Sequence, residues 1–183
     1  MTEENAVTKL LTSFKTSLEK WNSDVKEGQV ILAKIAQINQ NKILGTSGGS
    51  QDGLALDLEL QEECGTLRRV ADQLADRLAN LNRVAEKMAF LAELESFPSP
   101  AKGPGKKRPA PRDLARLSES VSSVCAAYAK QYEYHAQVAE EIGLCRTEDE
   151  LVFHSCVWLQ QPALDDECNL GERYIEYQIE NGA

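Results

Sequence analysis

Leu60, Cys64, Leu67, Ala71, Leu74, Leu78, Leu81, Ala85, Met88 and Ala92 succeed one another in steps of four and three without a miss. Steps averaging three and a half residues keep one side of an α-helix apolar along its whole length, so this register is a heptad seam. A helix from Asp57 to Glu95 extends about 58 Å at 1.5 Å per residue, longer than a compact globule needs and suited to a coiled coil or long bundle. The flanking Arg68, Arg69, Asp72, Asp76, Arg77, Arg83 and Glu86 read as a solvated border of mixed charge.

Two further segments repeat the pattern. Between Asn5 and Ile43 the stripe is Leu11, Phe14, Leu18, Trp21, Val25, Leu32 and Ile35, and Gly28 stands where an apolar residue belongs. Glycine costs roughly 1 kcal/mol relative to alanine inside a helix, so the position predicts a bend, a break or a neighbour in close approach. Asp113 caps a third helix with Leu114, Leu117, Val121, Val124, Tyr128, His135, Val138 and Ile142 on its stripe, and Gly143 supplies a stop. Ala126, Ala127 and Ala129 leave room for close neighbours.

A capping box, Thr147 to Glu150, starts a short fourth helix, LVFHSCVWLQQP, which must end before Pro162. Asp165 to Glu180 can form a fifth, with Leu170, Tyr174, Tyr177 and Ile179 inward, although Gly171 weakens it. The glycine-rich segment 44–53 reads as a loop, and 96–112, with five of the six prolines, as a linker. The expected fold is all-α: an elongated antiparallel helical bundle or coiled coil of three long helices plus a short carboxyl-terminal helix. Its divisions are 1–95, paired long helices; 96–112, linker; 113–162, third and Trp-bearing helices; and 163–183, an acidic tail.

Charge and cysteine usage narrow the function. The net charge of −9 lies entirely in residues 140–183, where eleven Asp and Glu face two Arg. Such a segment repels a phosphate backbone, so no direct nucleic-acid binding is expected, although Lys102 to Arg112 offers a basic arm. Apolar runs are too short to cross a bilayer, and the acidic MTEENAVTKLL is unlike a signal peptide; a soluble intracellular protein without membrane contact is expected. Five scattered cysteines and two histidines point to neither a disulfide framework nor a metal site, and no cofactor is implied. The chain has no phosphate-cradling glycine motif, no G-x-S-x-G and no H-E-x-x-H, so it is read as no enzyme.

Binding is what remains. Most leucine seams bury themselves in their own chain, yet helices of unequal length leave apolar surface for a partner, and Leu74, Leu78, Leu81 and Met88 are candidates. Trp158 is either a core residue, the commoner role, or an interface anchor. Lys106, Lys107 and Arg108 have the composition of a nuclear-localisation patch as well as of a solvated linker, and Ser99-Pro100-Ala101-Lys102 fits a cyclin-dependent kinase site, with Ser99 the acceptor.

The run from Tyr128 to Pro162, ending Trp158-Leu159-Gln160-Gln161-Pro162, resembles the carboxyl-terminal part of the cyclin-dependent kinase 2-interacting protein family. The long heptad helix with Lys87-Met88 and Leu91, and the first helix around Trp21, are similar too. Ala110-Pro111-Arg112-Asp113 departs from the aromatic and histidine residues expected before the third helix.

The resemblance implies a non-catalytic adaptor, nuclear and also cytoplasmic, acting in DNA replication, the cell cycle, DNA-damage checkpoint signalling and repair, and ribosome biogenesis. Its implied partners are a cyclin-dependent kinase, an origin-firing kinase, a checkpoint kinase complex, an AAA-type ATPase and a small helical protein. Trp158, Leu159, Gln161 and Pro162 are the implied contact residues, with homodimer formation left open. The alternative is a structural coiled-coil subunit of an unrelated complex.

Overall fold

The computed structural model describes residues 3–44, 50–96 and 113–181, and the side chains of 6–42, 53–95 and 113–181 within them. Ser99, Lys106, Lys107 and Arg108 lie outside the described residues, as do 45–49. Among the described residues the protein is all-α: α1 (Glu3–Leu44), α2 (Ser50–Ser96), α3 (Leu114–Glu141), a 3-10 turn (Ile142–Leu144), α4 (Glu148–Gln160) and α5 (Asp166–Asn181).

Direction follows from which residues meet. Going up α1 and down α2, Lys42 pairs with Asp57, Lys34 with Glu63 at 3.2 Å and Asp24 with Arg77 at 3.0 Å, so these helices are antiparallel. Near the other end, Leu10 shares a groove with Phe90 and Leu91. On the far side of α2, Gly143 approaches Cys64, and Ala85 and Ala89 face Cys125 and Ala126, so α3 runs opposite to α2 as well. The apolar stripes sit where these contacts fall: Leu11, Phe14, Trp21, Ile35, Leu67, Leu74, Leu81, Met88, Val121 and Val124 are all fully buried.

Helices α4 and α5 follow each other down the groove between α1 and α3. Trp158 lies against Gly28 and His135. Further along, Gly171 meets Val124, Tyr174 lies beneath Arg116, and Glu176 reaches Lys15. The acidic tail is therefore a packed helix. Its inward face differs from the expected one, because Cys168 and Ile175 are buried whereas Leu170 and Tyr177 are 67% and 59% exposed. Gly171 explains the shift: a Cβ there would stand 2.8 Å from Val124 Cγ2, so the helix turns its glycine toward α3 and its backbone approaches closely.

Three other expectations are corrected. Of the loop expected over 44–53, Leu44 belongs to α1 and Ser50–Gly53 to α2. Once the seam has nucleated the helix, each added residue gains a hydrogen bond at small entropic cost, even across a glycine. The stop after α3 is a 3-10 turn, without positive φ at Gly143. Arg77, read as solvated border, donates to Asp24, which is only 8% exposed.

Candidate functional site

The Trp-Leu-Gln-Gln-Pro ending is divided between two faces of α4. Its start is held as its composition requires: the Thr147 side chain accepts from the Glu150 amide at 3.3 Å, and Glu150 Oε2 accepts from the amides of Arg146 and Thr147 at 2.7 and 3.3 Å. Those amide donors hold the Glu150 carboxyl below its ordinary pKa. One turn and more beyond, Leu151 and Trp158 point inward while Val152, Phe153, Cys156 and Leu159 point out. The helix ends at Gln161, which adopts the left-handed conformation at φ 44°, ψ 61°.

Of the two readings of Trp158, the structure has the core one: its side chain has no exposed surface. Its indole Nε1–H donates to the Val25 carbonyl at 3.0 Å, taking the second lone pair of an oxygen inside α1. The ring occupies the space left by Gly28, where a Cβ would overlap Cζ2 and stand 2.6 Å from Cε2. The missing apolar side chain in the α1 stripe is thus supplied by α4, and α1 runs through without a break.

Around it stand Trp21, Tyr128 and His135. The ring of His135 is 4.4 Å from Trp158 and 5.7 Å from Trp21, and Trp21 meets Tyr128 edge-on at 5.0 Å. Trp21 Nε1–H donates to Gln161 Oε1 at 3.0 Å, so the two tryptophans make reciprocal bonds between α1 and the α4 terminus. Gln161 is consequently an internal bonding residue; Leu159, 42% exposed, and the exposed Pro162 face outward.

Polar side chains from α3 close the cluster. Gln131 Oε1 accepts from the Ala163 amide at 3.0 Å, which orients its own amide nitrogen toward His135. His135 Nε2 lies 3.2 Å from the Trp158 carbonyl, one of the last four carbonyls of α4, which lack a helical partner. The same Nε2 is 3.3 Å from the Gln131 amide nitrogen, so it donates to the carbonyl in one tautomer and accepts from the amide in the other, while Nδ1 is buried without a partner among the described residues. Burial lowers the His135 pKa to about 4, so the ring is neutral near pH 7. On the same helix Tyr128 donates to Glu172 of α5 at 2.9 Å, and burial raises the Glu172 carboxyl. Burial also raises the Cys125 and Cys168 thiols to about 12, the reverse of what a nucleophilic cysteine needs.

The seam residues assigned to a partner face inward too. Leu74, Leu81 and Met88 have no exposed surface and Leu78 is half-buried, because α1 and α3 both pack on α2 and use its apolar side between them. Residues that the sequence reading passed over carry the exposed apolar surface instead: Val152 at 55%, Phe153 at 64% and Leu144 at 76%. One signal was available. Leu151, Val152 and Phe153 are consecutive, and successive residues are about 100° apart on a helix, so they cannot share one face. A second surface is a groove of about 380 Å³ lined by Ala6, Lys9, Leu10, Lys87, Phe90 and Leu91, with the lysine stems contributing apolar wall.

No family model matches the chain, and no curated protein matches it either.

Proposed function

We propose that this protein is a non-catalytic nuclear adaptor of the kind its resemblance to the cyclin-dependent kinase 2-interacting protein family implies. In this reading the helices form an elongated antiparallel bundle whose seam gives rigidity, and recognition takes place on what the seam leaves outside. The observation that carries it is a pair of separate apolar surfaces with opposite electrostatic surroundings. Val152, Phe153 and Leu159 lie in the acidic third of the chain, whereas Phe90 and Leu91 are flanked by Lys9 and Lys87. Between Leu10 and Gly28, where Trp158 seats α4, α1 rises about 27 Å, far enough for two partners to sit without overlap. Exposed apolar groups set among charges are characteristic of interaction sites.

Affinity purification with cross-linking mass spectrometry tests the reading. Cross-links from Lys9 or Lys87 to replication kinases or to an AAA-type ATPase support it. Recovery of neither class leaves a helical protein of some other assembly.

A further inference from the structure

We propose that the outer face of α4 docks a basic amphipathic helix of a partner protein. The inference rests on reading the chain as a binding protein, and it specifies the partner's chemistry at one surface.

Val152, Cys156 and Leu159 are spaced by four and three residues, so they form an outward stripe over two turns, about 10 Å long, and Phe153, three before Cys156, is exposed beside it. The stripe is not needed to hold α4, since Leu151, Trp158 and the Thr147 capping box already do so from the other side and the end. Acids flank it in the chain on both sides: Glu148 and Asp149 in the first turn of α4, Asp166 and Glu167 in the first turn of α5, all exposed. The cations nearest in sequence are Arg146 and, beyond α5's first turn, Arg173.

An occupant must therefore bring apolar side chains at its centre and positive charge at both ends. A helix meets this with anchors at i, i+4 and i+7 and Lys or Arg beyond them, and its backbone needs no edge to pair with. Charge complementarity of this type speeds encounter and rejects acidic competitors. A second copy does not fit, because the corresponding face is itself acidic and would repel its duplicate. The chain's own segment 97–112 is basic but has Phe97 as its one large apolar residue, so it lacks the anchors.

The test uses the purified full chain and two fluorescein-labelled amphipathic peptides with the same leucine positions, one with lysines at both ends and one with glutamates. Anisotropy should show binding of the lysine peptide that weakens as salt rises, and none of the glutamate peptide. Phe153→Ser with Leu159→Ser should weaken binding by about tenfold or more at unchanged thermal melting, since both side chains are solvent-facing. Asp149→Asn with Asp166→Asn and Glu167→Gln should flatten the salt dependence, and Phe90→Ser should change nothing.

The proposal is overturned by equal binding of both peptides, by full affinity in the Phe153/Leu159 variant, or by binding of neither. It is overturned equally by a dimer that this variant dissolves in sedimentation equilibrium, which makes a second copy the occupant. Peptide binding that appears only after deletion of 97–112 would assign the face to the chain's own linker. Peptide binding without recovery of kinases or ATPase retains the docking face and removes the family assignment; the reverse result removes the face alone.

Discussion

At the scale of single residues, two glycines in helix interiors have opposite consequences. Gly65 faces open space, so Gly65→Ala should stabilise the protein by up to about 1 kcal/mol through helix propensity alone. Gly28→Ala gains the same propensity but drives a methyl into the Trp158 ring, and overpacking of about 1–3 kcal/mol outweighs the gain. Urea denaturation of the pair should therefore move the midpoints in opposite directions. A Gly28→Ala protein as stable as the parent would mean that the indole is not seated there.

His135 supplies a pH dependence at the same scale. Its pKa is lowered from 6.5 to about 4, so the unfolded chain binds the proton first as pH falls. Its stabilising contribution is complete above about pH 6.5, declines through the window down to pH 4, and amounts to about 3 kcal/mol when fully lost. Glu172 works the other way. Its raised carboxyl takes up a proton in the folded state before the unfolded chain does, so it restores some stability as pH falls toward 4.5. In His135→Asn the loss of stability between pH 6.5 and 5 should disappear, leaving the opposite contribution of Glu172, whatever that variant's absolute stability.

At the scale of the element, α4 shows how a short helix becomes both fastener and display. Thirteen residues are marginal as an isolated helix, so its order depends on the Thr147 cap and on Trp158. Thr147→Ala removes the cap acceptor and should cost about 1 kcal/mol. Trp158→Ala empties the space over Gly28, removes the ring packed on His135 and leaves the Val25 carbonyl without its side-chain donor, with an expected loss of about 3–5 kcal/mol. Calorimetric melting of the two variants should reproduce that order. A Trp158→Ala protein that melts with the parent would return this tryptophan to the surface.

For the whole molecule, the α1–α3 groove is closed by α4 and α5, so these helices should unfold together with the long ones. Trp21 and Trp158 are the chain's two tryptophans and both lie in the same buried cluster. Tryptophan fluorescence therefore reports that cluster, while far-UV circular dichroism reports all the helices. The two melting curves should coincide. A fluorescence transition that precedes loss of helix would make α4 and α5 a separately melting layer.

How much of this was legible in the chain depends on whether a property is local. Helix identity, the inward stripes of α1, α2 and α3, the Asp113 and Thr147 caps and the vacancy at Gly28 follow from spacing and composition, because they arise within a few residues along one helix. The position of Gln131 was half-legible, since the α3 stripe steps from Tyr128 to His135 and omits the place where this fully buried amide stands. What fills Gly28, which atom receives the Trp21 proton, and which side of α4 faces water could not be read in this way. Each depends on residues 130 or more positions apart in the chain meeting in space, and only the packing of α4 into the α1–α3 groove decided whether Trp158 or Phe153 would be inside.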